Sequence, residues 1–378
     1  MPGMKKESMM KEFPNVTICG CGSGGMAMAA DLSLLGCRVN LFEIPAFGVN
    51  LEPIRAQGGI RLMGQAFSGK TGLAALNAVT DDPQEALEGS ELVFINVPAM
   101  AVGPFLQHLA PHFSQGQVVV VTTGYWAALR HRELLQESGA LEQYVFAEMS
   151  IMPYLSAKTG PAEVDVGNYK RELSMSAWPA RGNRVALDMV SRVYPHTRVL
   201  ENVVELNFQP GNPGVHPQVT LPRAAFFFER AHTFHFYGEV SMCASKLTDA
   251  HDIERMQVAA AYGYVSMTWP EYCRRVYPYQ GDNLYELHGT ARDPHAHKWN
   301  QIEEIERLLV EDICYSFIPM EGLAKVVGLQ VPVTTAMVEI LTVFTGYDYR
   351  ANAVTMGDLG LDGLDREQIV DFATHGYI

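Results

Sequence analysis

The run from Val16 to Asp31, Val-Thr-Ile-Cys-Gly-Cys-Gly-Ser-Gly-Gly-Met-Ala-Met-Ala-Ala-Asp, narrows the possible folds more than any other part of this 378-residue chain. Val16, Thr17 and Ile18 are β-branched and suit a short buried strand. Gly20, Gly22 and Gly25 then spell G-x-G-x-x-G, with Gly24 as an additional glycine in the loop. The following Met-Ala-Met-Ala-Ala-Asp-Leu-Ser-Leu-Leu favours helix, closed by Gly36 as a C-cap. Gly20 permits the tight turn, Gly22 lets the backbone approach a pyrophosphate, and Gly25 brings the helix close to the strand. The free N–H groups at the helix start, around Ser23 and Gly24, then face the phosphates.

Arg38 to Glu43 reads as the next strand, and its terminal acid lies 18 positions after Gly25. A carboxylate there can bond both ribose hydroxyls of an adenosine and repels a 2′-phosphate. A glycine turn in some other βαβ unit would share the spacing, but strand, glycines, helix, strand and acid in this order are far more restrictive. The expectation is a nicotinamide or flavin dinucleotide, with Glu43 favouring NADH and NADPH also admitted.

A chain of this length suggests two domains, each able to bury its own core. Hydrophobic residues at 48% and charged residues at 19% describe an ordinary globular protein, and the net charge of −14 argues against nucleic acid or an anionic membrane as partner. The polar stretch Met1–Glu12 lacks the apolar segment of a signal peptide and reads as a flexible tail, and no run is long enough to span a membrane. The six cysteines (Cys19, Cys21, Cys37, Cys243, Cys273, Cys314) are scattered, which fits reduced thiols in a cytoplasmic protein better than disulfides or a metal site. Monomer and homodimer are equally compatible with the sequence.

Glu91–Val97 is a buried strand whose exit, Val97-Pro98, is expected over the cofactor. A helix over Val102–His112 leads to the strand Gln117–Thr123, and Tyr144–Met149 adds another. Before these, Leu51–Gln57 suits a short helix, Ile60–Met63 with Thr71–Leu73 a hairpin, and Asp82 or Asp81 the cap of a helix over Pro83–Leu87. Ser174–Trp178 and Thr197–Val199 suit edge strands of the same parallel α/β sheet. After about Glu201 the pattern changes, and helical periodicity dominates over Leu221–Ala231, Met242–Tyr262, Pro270–Val276, Gln301–Val310, Ile318–Val327, Thr334–Thr345 and Arg366–Thr374. The expected organisation is α/β: a Rossmann dinucleotide-binding domain over 13–201, then an all-helical substrate and catalytic domain over 202–378. The reacting end of the cofactor belongs in the cleft between them.

Three features of the second half carry candidate chemistry. In Asn212-Pro-Gly-Val-His-Pro217 a histidine is held by rigid backbone at a helix entrance, suited either to a structural cap or to proton transfer near neutral pH. In Arg307-Leu-Leu-Val-Glu-Asp312, Arg307 and Glu311 can pair as i, i+4 neighbours. Alternatively, Arg307 can bind a substrate carboxylate while Asp312 orients an imidazole. His288, His295 and His297 with Asp293 fit no standard metal-ligand spacing, and no metal is expected. His232 and His235 suit packing or a substrate pocket, and Phe226–Phe228 is read as core.

From about Val16 to Gly363 the chain resembles the opine dehydrogenase family, the octopine/nopaline type that includes the carboxyethyl-norvaline enzyme. The most specific motifs are N-x-x-x-H-P at Asn212–Pro217 and R-x-x-x-E-D at Arg307–Asp312, supported by Leu284-Tyr-Glu286 and Leu359–Leu364. The resemblance implies reductive condensation of an amino acid with a 2-oxo acid through an imine, using NADH or NADPH. It implies His216 as acid/base, Asp312 as its partner, Asn212 in the same site, and Arg307 on a carboxylate. The loop Thr290–Asn300 and the aromatic cluster Phe226–Phe236 depart from the family pattern, which leaves substrate identity open. Reductases of the ketopantoate and glycerol-3-phosphate type share the plan but rely on a lysine in the second domain; Lys246, the only lysine between Arg171 and Trp299 apart from Lys298, has surroundings that match no such motif. A non-catalytic dinucleotide sensor is the remaining alternative.

Overall fold

The computed structural model of the chain describes residues 13–140, 142–228, 235–290 and 302–377. The expected tail, His232 and the loop carrying Asp293, His295 and His297 lie outside them. In chain order the first half comprises β1 (Val16–Cys19), α1 (Ser23–Leu35), β2 (Val39–Phe42), α2 (Glu52–Gln57), β3 (Ile60–Gly64), β4 (Gly72–Ala74), β5 (Ala78–Thr80) and α3 (Pro83–Leu87). It continues through β6 (Leu92–Ile95), α4 (Val102–Leu109), β7 (Val118–Val121), α5 (Ala127–Arg130), α6 (Arg132–Glu137), β8 (Val145–Met149), β9 (Tyr154–Gly160), β10 (Glu163–Tyr169), β11 (Leu173–Trp178), α7 (Asn183–Val190) and β12 (Thr197–Val199).

Eight strands form one sheet in the order β12-β11-β8-β7-β6-β1-β2-β5. From β5 to β8 neighbouring strands are parallel, with Val16 opposite Val39 on one side and Leu92 on the other. Strands β1, β2, β6 and β7 are buried at every position, as expected where helices cover both faces. Strand β11 joins antiparallel to β8, so the sheet is mixed rather than wholly parallel. Strand order reverses between β1 and β6, and their carboxyl ends open the crevice in which doubly wound sheets bind ligands.

A second sheet of four strands, β4-β3-β10-β9, was not evident from the sequence beyond its β3–β4 hairpin. It covers α1 from the other side. Within α1 every residue from Gly24 to Leu32 is buried, and Asp31 accepts from Tyr154 Oη at 2.6 Å and from the Ser68 N–H at 3.2 Å.

Beyond β12 the regular elements among the described residues are helices, joined by turns and loops. The helices are α8 (Val203–Asn207), α9 (His216–Thr220), α10 (Ala224–Phe228), α11 (Met242–Ala261), α12 (Trp269–Val276), α13 (Leu284–Thr290), α14 (Ile302–Asp312), α15 (Ile318–Val326), α16 (Pro332–Thr345) and α17 (Arg366–His375). Helix α17 returns to the first half, where Trp178 Nε1 donates to the Phe372 carbonyl at 3.2 Å. Not all of the phenylalanine run is core: Phe226 is 44% exposed, whereas Phe228 packs inward. Two positions on a helix lie roughly 200° apart, so these two rings face opposite ways.

All six cysteines are free thiols. Cys19 and Cys21 point into different hydrophobic cores, one on each face of the large sheet. No helix among the described residues is long and apolar enough to cross a membrane.

Candidate active site

The glycine loop sits where β1 and β6 end. Gly20 has φ +105°, and a Cβ on it would come within 2.6 Å of the Asn96 carbonyl and 2.7 Å of Val97 Cγ1. A Cβ on Gly25 would overlap the Gly20 carbonyl, so this glycine sets how closely α1 packs on the loop. A Cβ on Gly24 would meet Asn96 Nδ2 at 2.5 Å, whereas Gly22 has nothing within 4 Å of that position. The open side of the loop is therefore at Gly22, which is also the N-cap of α1 and supplies no side-chain cap. The first N–H groups of the helix are left available for an anion. This pattern fits the pyrophosphate of a dinucleotide.

Glu43 follows β2 and is buried. Its Oε2 accepts the Cys21 N–H at 2.9 Å and its Oε1 accepts the Ile44 N–H at 3.0 Å. Burial raises its pKa, against the two backbone donors and the nearby Lys158. Lys158 Nζ donates to the Cys21 carbonyl at 3.3 Å. The carboxylate thus ties down the glycine loop as well as standing at the end of β2, an anchoring role that spacing alone did not reveal.

Asn212 begins a single turn of 3-10 helix, and His216 is the first residue of α9. Gly214 is wedged against the Trp269 ring, and its carbonyl accepts from Thr248 Oγ1 at 3.0 Å. That backbone holds the His216 imidazole in a buried position. His216 Nδ1 is 2.7 Å from Asp312 Oδ2, and Nε2 is 2.6 Å from Tyr237 Oη. The second oxygen of Asp312 accepts from Tyr125 Oη at 2.6 Å. Tyr125 also bonds the Asn212 side chain, and burial followed by the Asp312 and Glu311 charges pushes its phenol well above the ordinary range. A continuous chain results, Tyr237–His216–Asp312–Tyr125–Asn212. An ionised Asp312 fixes the Nδ1–H tautomer and leaves Nε2 to accept from Tyr237 when the ring is neutral.

Asp312 is the last residue of α14, and the next turn, Ile313–Phe317, is π-helix. Such turns re-aim side chains and are frequent at functional sites. One turn earlier, Arg307 is 42% exposed and lies 3.3 Å from Glu311, so the expected i, i+4 pair is formed. Glu311 Oε1 also accepts the Ala99 N–H at 2.6 Å, and Arg130 donates twice to the Ala99 carbonyl, at 3.1 and 3.2 Å. Arg130 in turn lies over the Tyr315 ring, 4.7 Å from its centroid. The chain leaving β6 is thereby fastened to α14.

These groups meet in one cleft of about 370 Å³. Its lining brings Gly22, Ser23, Gly24, Val97 and Pro98 together with Asn212, His216, Arg307 and Glu311, and with Trp269, Tyr277, Tyr279 and His288. Asp312 stands behind the cleft, bonded to His216, which lines it, whereas Glu43 is outside the lining and is bonded to the glycine loop at Cys21. Tyr125, Tyr237, Arg130 and Lys170 escaped the sequence reading. Tyr125 directly follows the glycine that ends the β7 strand segment, a position that doubly wound folds often give to ligand-facing residues. His288 stacks on Tyr237 with ring centroids 5.6 Å apart. No group of three metal-ligating side chains is found among the described residues.

A profile of the NAD/NADP octopine/nopaline dehydrogenase alpha-helical domain matches residues 199–345. An opine dehydrogenase of Arthrobacter sp. (strain 1C) is 27% identical over 359 residues, covering 94% of this chain and 97% of the relative. Among solved structures, octopine dehydrogenase with NADH and L-arginine aligns with a TM-score of 0.71 at 18% identity, over 94% of this chain and 98% of that one. Yersinopine dehydrogenase with NADP+ bound aligns with a TM-score of 0.64 at 14% identity, over 96% and 98%.

Proposed function

We propose that the chain is an opine-type dehydrogenase that condenses an amino acid with a 2-oxo acid and reduces the resulting imine, a reading supported by its similarity to an opine dehydrogenase over 94% of its length and to the octopine/nopaline dehydrogenase alpha-helical domain. The observation that carries this reading is the hydrogen-bonded chain Tyr237–His216–Asp312–Tyr125, whose Tyr237 and His216 line the same cleft as the glycine loop. Residues 13–201 serve the dinucleotide and 202–378 supply the substrate site.

The dinucleotide is held by Gly20, Gly22, Ser23, Gly24 and Gly25 on its phosphates, with Val97 and Pro98 over it. When bound, the reduced nicotinamide supplies hydride to the imine carbon. Glu43 places an anion beside the loop, which favours NADH over NADPH. Carbinolamine formation and its dehydration need a proton acceptor and then a donor, and His216 serves as both. Asp312 orients the imidazole and stabilises its protonated form. Tyr125 holds Asp312 from behind and is itself bonded to Asn212, which lines the cleft. Arg307, in the cleft lining, pairs with a substrate carboxylate, and among the described residues its one ion pair, 3.3 Å to Glu311, leaves donors for that purpose.

A simple 2-oxo acid reductase is the second reading. It would need a lysine acid in the helical half, but Lys246 is exposed on α11 and does not line the cleft. Cofactor oxidation by purified protein, with 2-oxo acids in the presence and absence of amino acids, separates the two. Oxidation that requires both partners and collapses in His216→Ala supports the opine-type reaction. Oxidation by an oxo acid alone refutes it.

A further inference from the structure

Lys170 joins β10 to β11 and is 4% exposed. Its backbone is pinned on both sides: the Lys170 N–H donates to the Pro153 carbonyl at 2.8 Å, and the Arg171 N–H to the Val276 carbonyl at 2.9 Å. The ammonium donates to the Met152 carbonyl at 2.6 Å, lies 3.4 Å from the Tyr154 carbonyl, and stands 5.9 Å from the Tyr277 ring centroid. Among the described residues no carboxylate is within ion-pair distance of it, and burial alone pushes its pKa down to about 7. An uncompensated buried cation is costly unless an anion arrives to meet it.

Lys170 nevertheless lines the substrate cleft. Among the described residues only two Lys or Arg side chains do so, Lys170 from the sheet half and Arg307 from α14. The product of joining an amino acid to a 2-oxo acid carries two carboxylates, one from each reactant. We propose that Lys170 binds one of these substrate carboxylates, so that Lys170 and Arg307 together hold the two acid groups of the product. This inference rests on the opine-type reading above. It makes Lys170 a specificity-determining residue contributed by the dinucleotide-binding half.

The test uses the full chain and two variants, Lys170→Met and Lys170→Arg. Wild type and variants loaded with NADH are titrated with pyruvate and, separately, with L-alanine, following the fluorescence of Trp269 in the cleft wall. Turnover with a panel of amino acids and oxo acids gives the corresponding KM values. The expected result in Lys170→Met is a loss of about 30-fold or more in affinity for one reactant, with the other reactant and NADH bound as before. Arginine, which keeps the charge but cannot release a proton, recovers most of the loss.

The proposal is overturned if both affinities are unchanged, or if the wild type binds neither carboxylate. A fall in kcat at constant KM that arginine does not rescue also overturns it, by making Lys170 a proton donor. Weakened NADH binding would assign the cation to the cofactor instead. If wild type oxidises NADH with pyruvate alone, the opine-type reading fails while the binding titrations still decide the role of Lys170.

Discussion

Glu311 and Ala99 are 212 positions apart, yet the Glu311 carboxylate accepts the Ala99 N–H at 2.6 Å. The loop leaving β6 and the helix that ends in Asp312 therefore share one hydrogen bond, and Arg130 secures the same peptide from its carbonyl side. Glu311→Ala strands a buried N–H, which costs about 1–3 kcal/mol. Thermal unfolding should show a fall of several degrees. Turnover should fall as well, because the two walls of the cleft lose their common reference.

His216→Ala removes the only imidazole in the buried chain and should lower kcat by about 10²–10⁴-fold. Asp312→Asn preserves shape but no longer fixes the Nδ1–H tautomer, and a loss in the same range is expected. Equilibrium NADH binding should survive both changes. Near-wild-type turnover in His216→Ala would remove His216 from the chemistry.

Gly22 and Gly25 make opposite predictions. A Cβ at Gly25 overlaps the Gly20 carbonyl, so Gly25→Ala should lower the melting temperature of the free protein. A Cβ at Gly22 meets nothing within 4 Å, and Gly22 has an ordinary φ of −70°. Gly22→Ala should leave the melting temperature unchanged and weaken cofactor binding at least tenfold, because the methyl occupies the side from which the pyrophosphate arrives. Calorimetry of both variants, with and without NADH, checks the contrast.

Glu148, in β8, is fully buried, and burial pushes its carboxyl up to about 7, despite the Ala127 N–H that it accepts at 2.8 Å. The folded protein therefore binds this proton more tightly than the unfolded chain. The contribution is fully present below about pH 4.5 and is lost as the pH rises through about 7, where ionising the buried group costs up to about 3 kcal/mol. Glu148→Gln should flatten this part of the stability profile. Thermal unfolding at pH 5 and pH 8 measures it: the variant should gain on wild type at the higher pH.

What could be read in advance was local. The β1-loop-α1-β2 unit is written in consecutive residues, and the buried strands β6 and β7 are short apolar runs bounded by polar residues. Strands β9 and β10 were missed because their residues are mixed in polarity and largely half-exposed. Their stability comes from pairing with β3 and packing on α1. His216 and Asp312 were found through motifs, although 96 positions separate them. Tyr125, Tyr237 and Lys170 carry no motif, and their importance arises only when β7, α9, α14 and the β10–β11 connection converge. Glu43 was recognised by position, but its bond to the Cys21 N–H depends on how the loop folds back.

The placement of α1 between two sheets has a mechanical consequence. Its Asp31 carboxylate accepts from Tyr154 and from Ser68, both of the smaller-sheet side, and the helix is buried from Gly24 to Leu32. The phosphate end of the cleft is thus a fixed abutment. If the proposed reaction holds, amine substrates of different size would be accommodated by the lining contributed from the helical half, Tyr237, His288 and Arg307, and changes of substrate range are expected to accumulate there while the glycine loop stays as it is.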